Sequence, residues 1–141
     1  MKNKKGFTLF ELLVSISIIA ILTALATVSY SLAQRKARDA RRTQDMDAVR
    51  KAQELFYSQN NYLYAASAAE LTTGGFLEKL PTDPKNSGEY VYDFGTWDAL
   101  SYCFCAKLEN SDLDGGKPTG NATDDLCAMG NGDYYCVKQQ Q

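Results

Sequence analysis

The sequence predicts an α+β protein in which one long N-terminal helix packs, through its second half, on a small antiparallel β-sheet head. Residues 7–60 contain no proline and no glycine, and their composition favours helix throughout. Residues 89–108 instead contain aromatic and alternating segments that are typical of strands. Four cysteines, all after residue 100, indicate a head held by disulfides in an oxidising compartment.

The first half of the predicted helix is apolar. The 19 residues from Leu12 to Tyr30 carry no charge, which is close to the roughly 20 apolar residues that cross a bilayer. Glu11 interrupts the apolar run near its start, and an ionisable group at membrane depth usually has a partner and a role. A leader at residues 1–6 carries three lysines and predicts a cytoplasmic amino terminus. Residues 7–30 are therefore predicted to be a transmembrane helix.

Residues 31–60 are predicted to continue this helix as an amphipathic stem. We expect residues 48–56 to pack on the head, and Asn60 and Asn61 to end the helix. Small and apolar residues recur at helical spacing and predict the packing face; they are Tyr30, Ala33, Ala37, Ala40, Ala48, Val49, Ala52, Leu55 and Phe56.

The formal charge of −2 hides a marked asymmetry along the chain. Residues 31–57 carry a net charge of +3, whereas residues 58–141 carry −7. A basic stem and an acidic head could steer subunits together; the alternative is that both are solvated faces. The basic stretch Arg35–Arg42 is expected to lie beside lipid phosphates or the acids of neighbouring copies, with nucleic acid as an alternative partner. Because the chain has no histidine and no catalytic motif, no enzymatic activity is predicted.

The segment KGFTLFELL at residues 5–13 lies behind the basic leader and ahead of the apolar helix. It resembles the class III signal of type IV pilins, which the pseudopilins of type II secretion share. The resemblance implies the pilin fold, cleavage after Gly6 by prepilin peptidase, and methylation of the new terminal amine on Phe7. It also implies that Glu11 forms an assembly salt bridge with the amine of Phe7 in an adjacent subunit.

The resemblance further implies a structural subunit, stored in the cytoplasmic membrane and then assembled into an extracellular helical filament of identical copies. Its implied partners are the peptidase and the pilus assembly platform with its ATPase. Adhesion, motility and DNA uptake are activities of such filaments. The alternatives are a type II secretion pseudopilin and a monomeric, membrane-anchored extracellular binding domain. An ordinary secretory signal cut near Ala24–Ala26 is a further alternative.

Two positions depart from the usual pilin pattern. Val28 lies where many relatives carry proline, and Ala20 lies where many carry glycine. Both usual residues weaken helices. The helix is therefore expected to run with fewer interruptions than in those relatives.

The head is predicted to occupy residues 61–141. The turn Leu80–Pro84 is rigid because each residue before a proline is pushed toward extended geometry, and its Leu-Pro-x-Asp-Pro pattern also recurs in pilin and pseudopilin heads. The other expected elements are a loop over 61–79 with a helical turn at 65–71, strands at 89–94, 100–108 and 132–137, and a hairpin loop at 95–98.

The cysteines are candidates for disulfides. Cys103 and Cys105 lie on one face of a predicted strand, where successive positions are about 6.6–7 Å apart, too far for an easy bond. We therefore expect two bridges from this strand to Cys127 and Cys136, with the pairing open. A zinc site is the alternative, although one pair is separated by a single residue and the other by eight.

The polar loop between these cysteines is the one candidate for a cofactor. Its Asp-x-Asp-Gly start resembles a calcium loop, and major pseudopilins are known for calcium near this part of the head. A solvated turn is the preferred interpretation, and no other cofactor is expected. The loop also contains the glycosylation sequon Asn121–Thr123. The calcium candidates are Asp112, Asp114, Asp124 and Asp125.

Overall fold

The computed structural model describes residues 6–110 and 133–139. The chain divides into two compact units, Met1–Gln34 and Arg35–Gln141. The class is α+β, as predicted. The elements are helix α1 at Leu9–Gln59, helix α2 at Ala68–Thr73, and strands β1 at Asp93–Trp97, β2 at Tyr102–Lys107 and β3 at Tyr134–Lys138.

Helix α1 begins and ends within two residues of its predicted bounds. Its end is made by Asn61 and Tyr62, whose φ angles are 54° and 61°. This left-handed conformation cannot continue a right-handed helix. The side-chain amide of Asn60 donates to the backbone carbonyl of Phe56 at 2.9 Å and satisfies one acceptor of the last turn. Helix continues through Ala20 and Val28, in agreement with the absence of the usual glycine and proline.

The sheet has three antiparallel strands in the order β1-β2-β3. The predicted first strand at 89–94 and the hairpin loop at 95–98 were wrong. Strand β1 instead includes Gly95 and Trp97, and the tight turn joins Asp98 to Ser101 through two backbone hydrogen bonds. Residues Ser87 and Tyr90 pair with each other in an isolated bridge, so this aromatic stretch forms a local turn before the strand.

One hydrophobic core joins the stem to the sheet. Tyr102, Phe104 and Ala106 on β2 are buried together with Met46 and Val49 on α1. The rings of Phe104 and Trp97 have centroids 4.6 Å apart. Trp97 is therefore partly buried against the core.

The predicted packing of residues 48–56 on the head is confirmed at Val49, Ala52 and Phe56, whereas other small and apolar residues of the predicted face are exposed. The exposed residues of that face include Ala37, Ala40, Ala48 and Leu55. A prediction based on small and apolar residues does not include Asp39, Arg42 and Gln53, three polar side chains that are buried because the head supplies their hydrogen-bond partners. The buried residues of α1 are Asp39, Arg42, Met46, Val49, Ala52 and Gln53.

Gln53 shows how a polar side chain becomes part of this interface. Its Nε2 donates to the carbonyl of Ala65 at 3.2 Å, and the amide of Ala65 donates to its Oε1 at 2.9 Å. The Gln53 side chain thus gives the backbone of Ala65 the two hydrogen bonds that a neighbouring strand would otherwise supply. Because buried backbone groups require partners, Gln53 holds the loop after α1 against the stem.

Candidate functional site

The amino end of α1 is closed by a reciprocal cap between Thr8 and Glu11. The backbone amide and the hydroxyl of Thr8 both donate to Glu11 Oε2 at 2.8 Å, and the amide of Glu11 donates to Thr8 Oγ1 at 3.2 Å. This is the capping box, in which two donors without helical partners are satisfied at once. Thr8 was not among the predicted site residues, although the Thr-x-x-Glu spacing is the signature that identifies it.

The residues around the cap are accessible. Phe7 is 85% exposed, and no atom lies within 4 Å of where a Cβ would stand on Gly6. The bond between these two residues is therefore open to a peptidase in this chain. Cleavage there would place the new amine on Phe7, one residue before the cap.

The apolar part of α1 follows directly. It is long and apolar enough to cross a membrane, and no residue of its most apolar window is buried. Leu25, at 66% exposed, and Val28, at 71%, illustrate an apolar surface that a soluble domain would cover. This surface requires either lipid or other copies of the helix.

The serine and threonine hydroxyl groups in this apolar part are satisfied within the helix. Each donates to a carbonyl three or four residues earlier, as Ser15 does to Glu11 at 2.7 Å and Thr23 to Ile19 at 2.9 Å. Such bonds remove the cost of placing a hydroxyl in an apolar medium. The same pattern holds for Ser17, Thr27, Ser29 and Ser31.

An ion cluster, defined as Arg38, Asp39, Arg42, Asp83 and Glu109, attaches the stem to the head. Arg42 is fully buried and donates to both oxygens of Asp83, at 2.6 and 3.0 Å. It also donates to Asp39 at 2.7 Å and to Glu109 at 2.9 Å. Such a charge is tolerated inside a protein only when its donors are satisfied by opposite charges.

The cluster connects two head segments to one turn of α1. Arg38 binds both oxygens of Glu109 at 2.6 Å, and Asp39 accepts from the amide of Glu109 at 2.9 Å. Asp83 lies in the Leu80–Pro84 turn and accepts from the amide of Lys85 at 2.8 Å. These bonds position that turn and the chain after β2.

The cluster shifts the ionisation of its members. Hydrogen bonding from Arg38 is the main cause that lowers the pKa of Glu109 to about 2, from its ordinary value of 4.5. Burial raises the pKa of Asp83, but the bonds from Arg42 and from two backbone amides outweigh it, so its pKa is lowered. Burial opposes the charge of Arg42, and the three carboxylates overcome that effect and raise its pKa.

We expect the protein to lose stability as the pH falls from about 4.5 to about 2. Because the pKa of Glu109 is lower in the folded state, its contribution is complete above the higher value and is lost on acidification through the lower one. Arg38 is 31% exposed, so solvent screening limits the loss to on the order of 1–2 kcal/mol. Urea unfolding of the detergent-solubilised chain across this pH range measures it. A Glu109→Gln variant should show a shallower dependence, and an unchanged slope would contradict the assignment.

Acidic residues of the stem are also used within the chain. Tyr92 donates to Asp45 at 2.7 Å and Tyr102 donates to Glu54 at 3.0 Å; Tyr135 makes the corresponding bond to Asp47 at 3.1 Å.

The expectation that Arg35–Arg42 as a whole faces lipid or neighbouring acids was wrong for Arg38 and Arg42. Their partners are head carboxylates 41 to 71 residues away in the same chain.

A disulfide joins Cys105 on β2 to Cys136 on β3, with the two Cα atoms 4.1 Å apart. The two residues are direct partners in the antiparallel register. The bridge spans 31 residues of sequence, and closing a loop of that length stabilises a fold by about 3–4 kcal/mol. Cys103 is also disulfide-bonded. The expected link from this strand to the C-terminal segment is thus present, and Cys127 lies outside the described residues.

The calcium hypothesis and the sequon fall outside the described residues. Within residues 6–110 and 133–139, no group of three or more histidine, cysteine, aspartate or glutamate side chains could hold a metal ion. The calcium candidates Asp112, Asp114, Asp124 and Asp125 lie outside those ranges, as does the Asn121–Thr123 sequon.

The structure combines an accessible Gly6–Phe7 bond and a capped carboxylate with an exposed apolar helix and a small disulfide-closed head. These features fit a class of membrane-anchored subunits. The family model described as the prokaryotic N-terminal methylation motif matches residues 1–27. Over 106 residues, the chain is 35% identical to the type IV wide pilus major component PilA4 of Thermus thermophilus, covering 75% of each protein. The chain belongs to the type IV pilin family.

Family membership establishes the general role of the protein. It is a structural subunit of a type IV pilus, and it carries a prepilin peptidase substrate motif. The apolar helix and the family together fit a membrane-anchored precursor that forms an extracellular pilus.

Proposed function

We propose that this chain forms the shaft of a type IV pilus, with its copies packed together through the apolar half of α1. The observation that carries this proposal is the combination of an entirely exposed apolar helix with one carboxylate at its amino end. The relative from Thermus thermophilus is by its name a major component of a wide pilus. A shaft role for this chain is consistent with that likeness.

In this proposal, Glu11 has different partners before and after assembly. In the precursor its carboxylate accepts from Thr8. After cleavage at Gly6, the amine of Phe7 on an adjacent copy becomes a partner of opposite charge. Opposite charges in an apolar medium stabilise each other only when both are present and well placed. The pair therefore favours one axial register between copies.

We expect the mature chain to begin at an N-methylated Phe7, because the Gly6–Phe7 bond is exposed and lies in the matched motif. Intact-mass and N-terminal peptide mass spectrometry of surface material measure this directly. A Gly6→Val variant provides the matched control and should retain its leader. A chain that still begins at Met1 in surface filaments would contradict the proposal.

Electron microscopy of the same sheared material separates the shaft role from its two rivals. Long filaments labelled along their length by an antibody to the head support the shaft. A processed chain found only in short assemblies with a secretion apparatus would favour the pseudopilin. A processed or unprocessed chain that stays monomeric in the membrane would favour an anchored binding domain.

A further inference from the structure

Arg35 and Lys36 differ in their surroundings from Arg38 and Arg42, which follow them on the stem. Both are exposed, and neither forms an ion pair with any residue in the described ranges 6–110 and 133–139. Arg38 and Arg42, about one and two turns further on, are bound to head carboxylates. The head thus neutralises part of the basic stretch and leaves a pair of adjacent cations next to the apolar span.

The position of this pair is also distinctive. Arg35 follows Tyr30, the last residue of the uncharged run, by five residues of continuous helix. Tyr30 is 66% exposed, and tyrosine is enriched where a membrane span meets water. With the amino terminus in the cytoplasm, the pair lies on the outer side of the membrane. Cations there oppose the usual charge bias of membrane proteins, so their presence calls for a compensating interaction.

We propose that Arg35 and Lys36 form a binding surface for the phosphates of anionic lipids at the outer face of the membrane that stores the subunit. Adjacent positions on a helix point about 100° apart, so the guanidinium of Arg35 and the ammonium of Lys36 can each donate to the oxygens of a separate phosphate diester. The proposal rests on the membrane-anchored precursor and not on filament growth.

A second copy of the chain is the competing occupant, and the charges disfavour it. Copies stored side by side present the same level of the stem to each other. At that level the carboxylates are already engaged, Asp39 by Arg42 and two backbone amides, and Asp45 by Tyr92. The lipid phosphates supply the negative charge that a neighbouring stem does not offer.

The test uses the full chain in phosphatidylcholine vesicles that contain a photoactivatable phosphatidylglycerol, compared with vesicles that contain a photoactivatable phosphatidylcholine. Peptide mapping gives the ratio of the two crosslinking yields for the segment around residues 30–40. For Arg35→Gln/Lys36→Gln, we expect that ratio to fall roughly five-fold for each cation and about thirty-fold for both at low salt. Added salt should weaken the wild-type preference in the same direction.

The matched control is Lys51→Gln/Lys138→Gln, which removes the same charge from two exposed lysines elsewhere. It should leave the ratio unchanged, and the leader peptide provides an internal reference in every sample. The proposal is overturned if the Arg35/Lys36 variant keeps its phosphatidylglycerol preference, or if the control loses it equally. Loss of copy-to-copy crosslinks with intact lipid preference would assign the cations to a neighbouring subunit. None of these outcomes depends on whether filaments form.

Discussion

Replacing Glu11 with alanine should leave the chain processed and inserted in the membrane but reduce the yield of filaments by roughly ten-fold or more. In the proposed shaft, the amine of Phe7 on the adjacent copy would then lie in an apolar interior without an opposite charge. Breaking a buried pair by removing one partner costs about 3–5 kcal/mol. Sheared filament yield, normalised to the processed subunit in the membrane, measures the effect.

Glu11→Gln separates the ion pair from the helix cap. Glutamine can still take the third position of a capping box, so the bonds with Thr8 can persist while the negative charge is lost. We expect this variant to keep the helix start, as judged by amide exchange near residue 11, and yet to assemble as poorly as the alanine variant. Normal filaments from Glu11→Gln would show that the charge is not what assembly requires.

Replacing Arg42 with methionine should lower the free energy of unfolding by about 3–5 kcal/mol. The three carboxylates that now surround the guanidinium, those of Asp39, Asp83 and Glu109, would lose their shared counter-charge inside the protein. Arg38 would still bind Glu109, but it does not reach Asp83 in this arrangement. Urea unfolding of the detergent-solubilised chain near neutral pH measures the change.

Two further variants make this prediction specific. Arg41→Met removes the neighbouring cation, whose side chain is 66% exposed and whose distance to Asp45 is 3.9 Å. Exposed pairs contribute little, so a change within about 0.5 kcal/mol is expected. Arg42→Lys keeps the charge but not the two-pronged contact with Asp83, and should give an intermediate loss. Equal stability of the Arg41 and Arg42 methionine variants would refute the role of the cluster.

Local signals predicted the long helix well. Helix α1 is determined by composition over 51 residues and by the Asn60–Asn61 stop, and neither depends on distant partners. The processing motif is a contiguous string, so it could be recognised without knowledge of the fold. The pairing of Cys105 with Cys136 was left open because it depends on the register of β2 and β3.

The errors arise where distant residues decide the outcome. Arg42 is charged and was assigned to the surface, because its partner Asp83 lies 41 residues away. The aromatic run before β1 has strong strand propensity, yet Tyr90 is drawn into a turn. Its ring lies 4.9 Å from the guanidinium carbon of Arg42 and 4.0 Å from the ammonium of Lys85. Strand propensity depends on such surroundings more than helix propensity does.

The internal bonding of the hydroxyl groups in the first half of α1 has a consequence for transfer between phases. A segment whose serine and threonine hydroxyls are bonded within the helix needs few polar contacts from its surroundings. Exchanging lipid tails for the side chains of other copies then changes van der Waals packing alone, because both media are equally apolar. The apolar surface of this segment can therefore contact lipid or other copies of the helix at a similar free energy, and we expect the charge of Glu11 to favour contact with other copies.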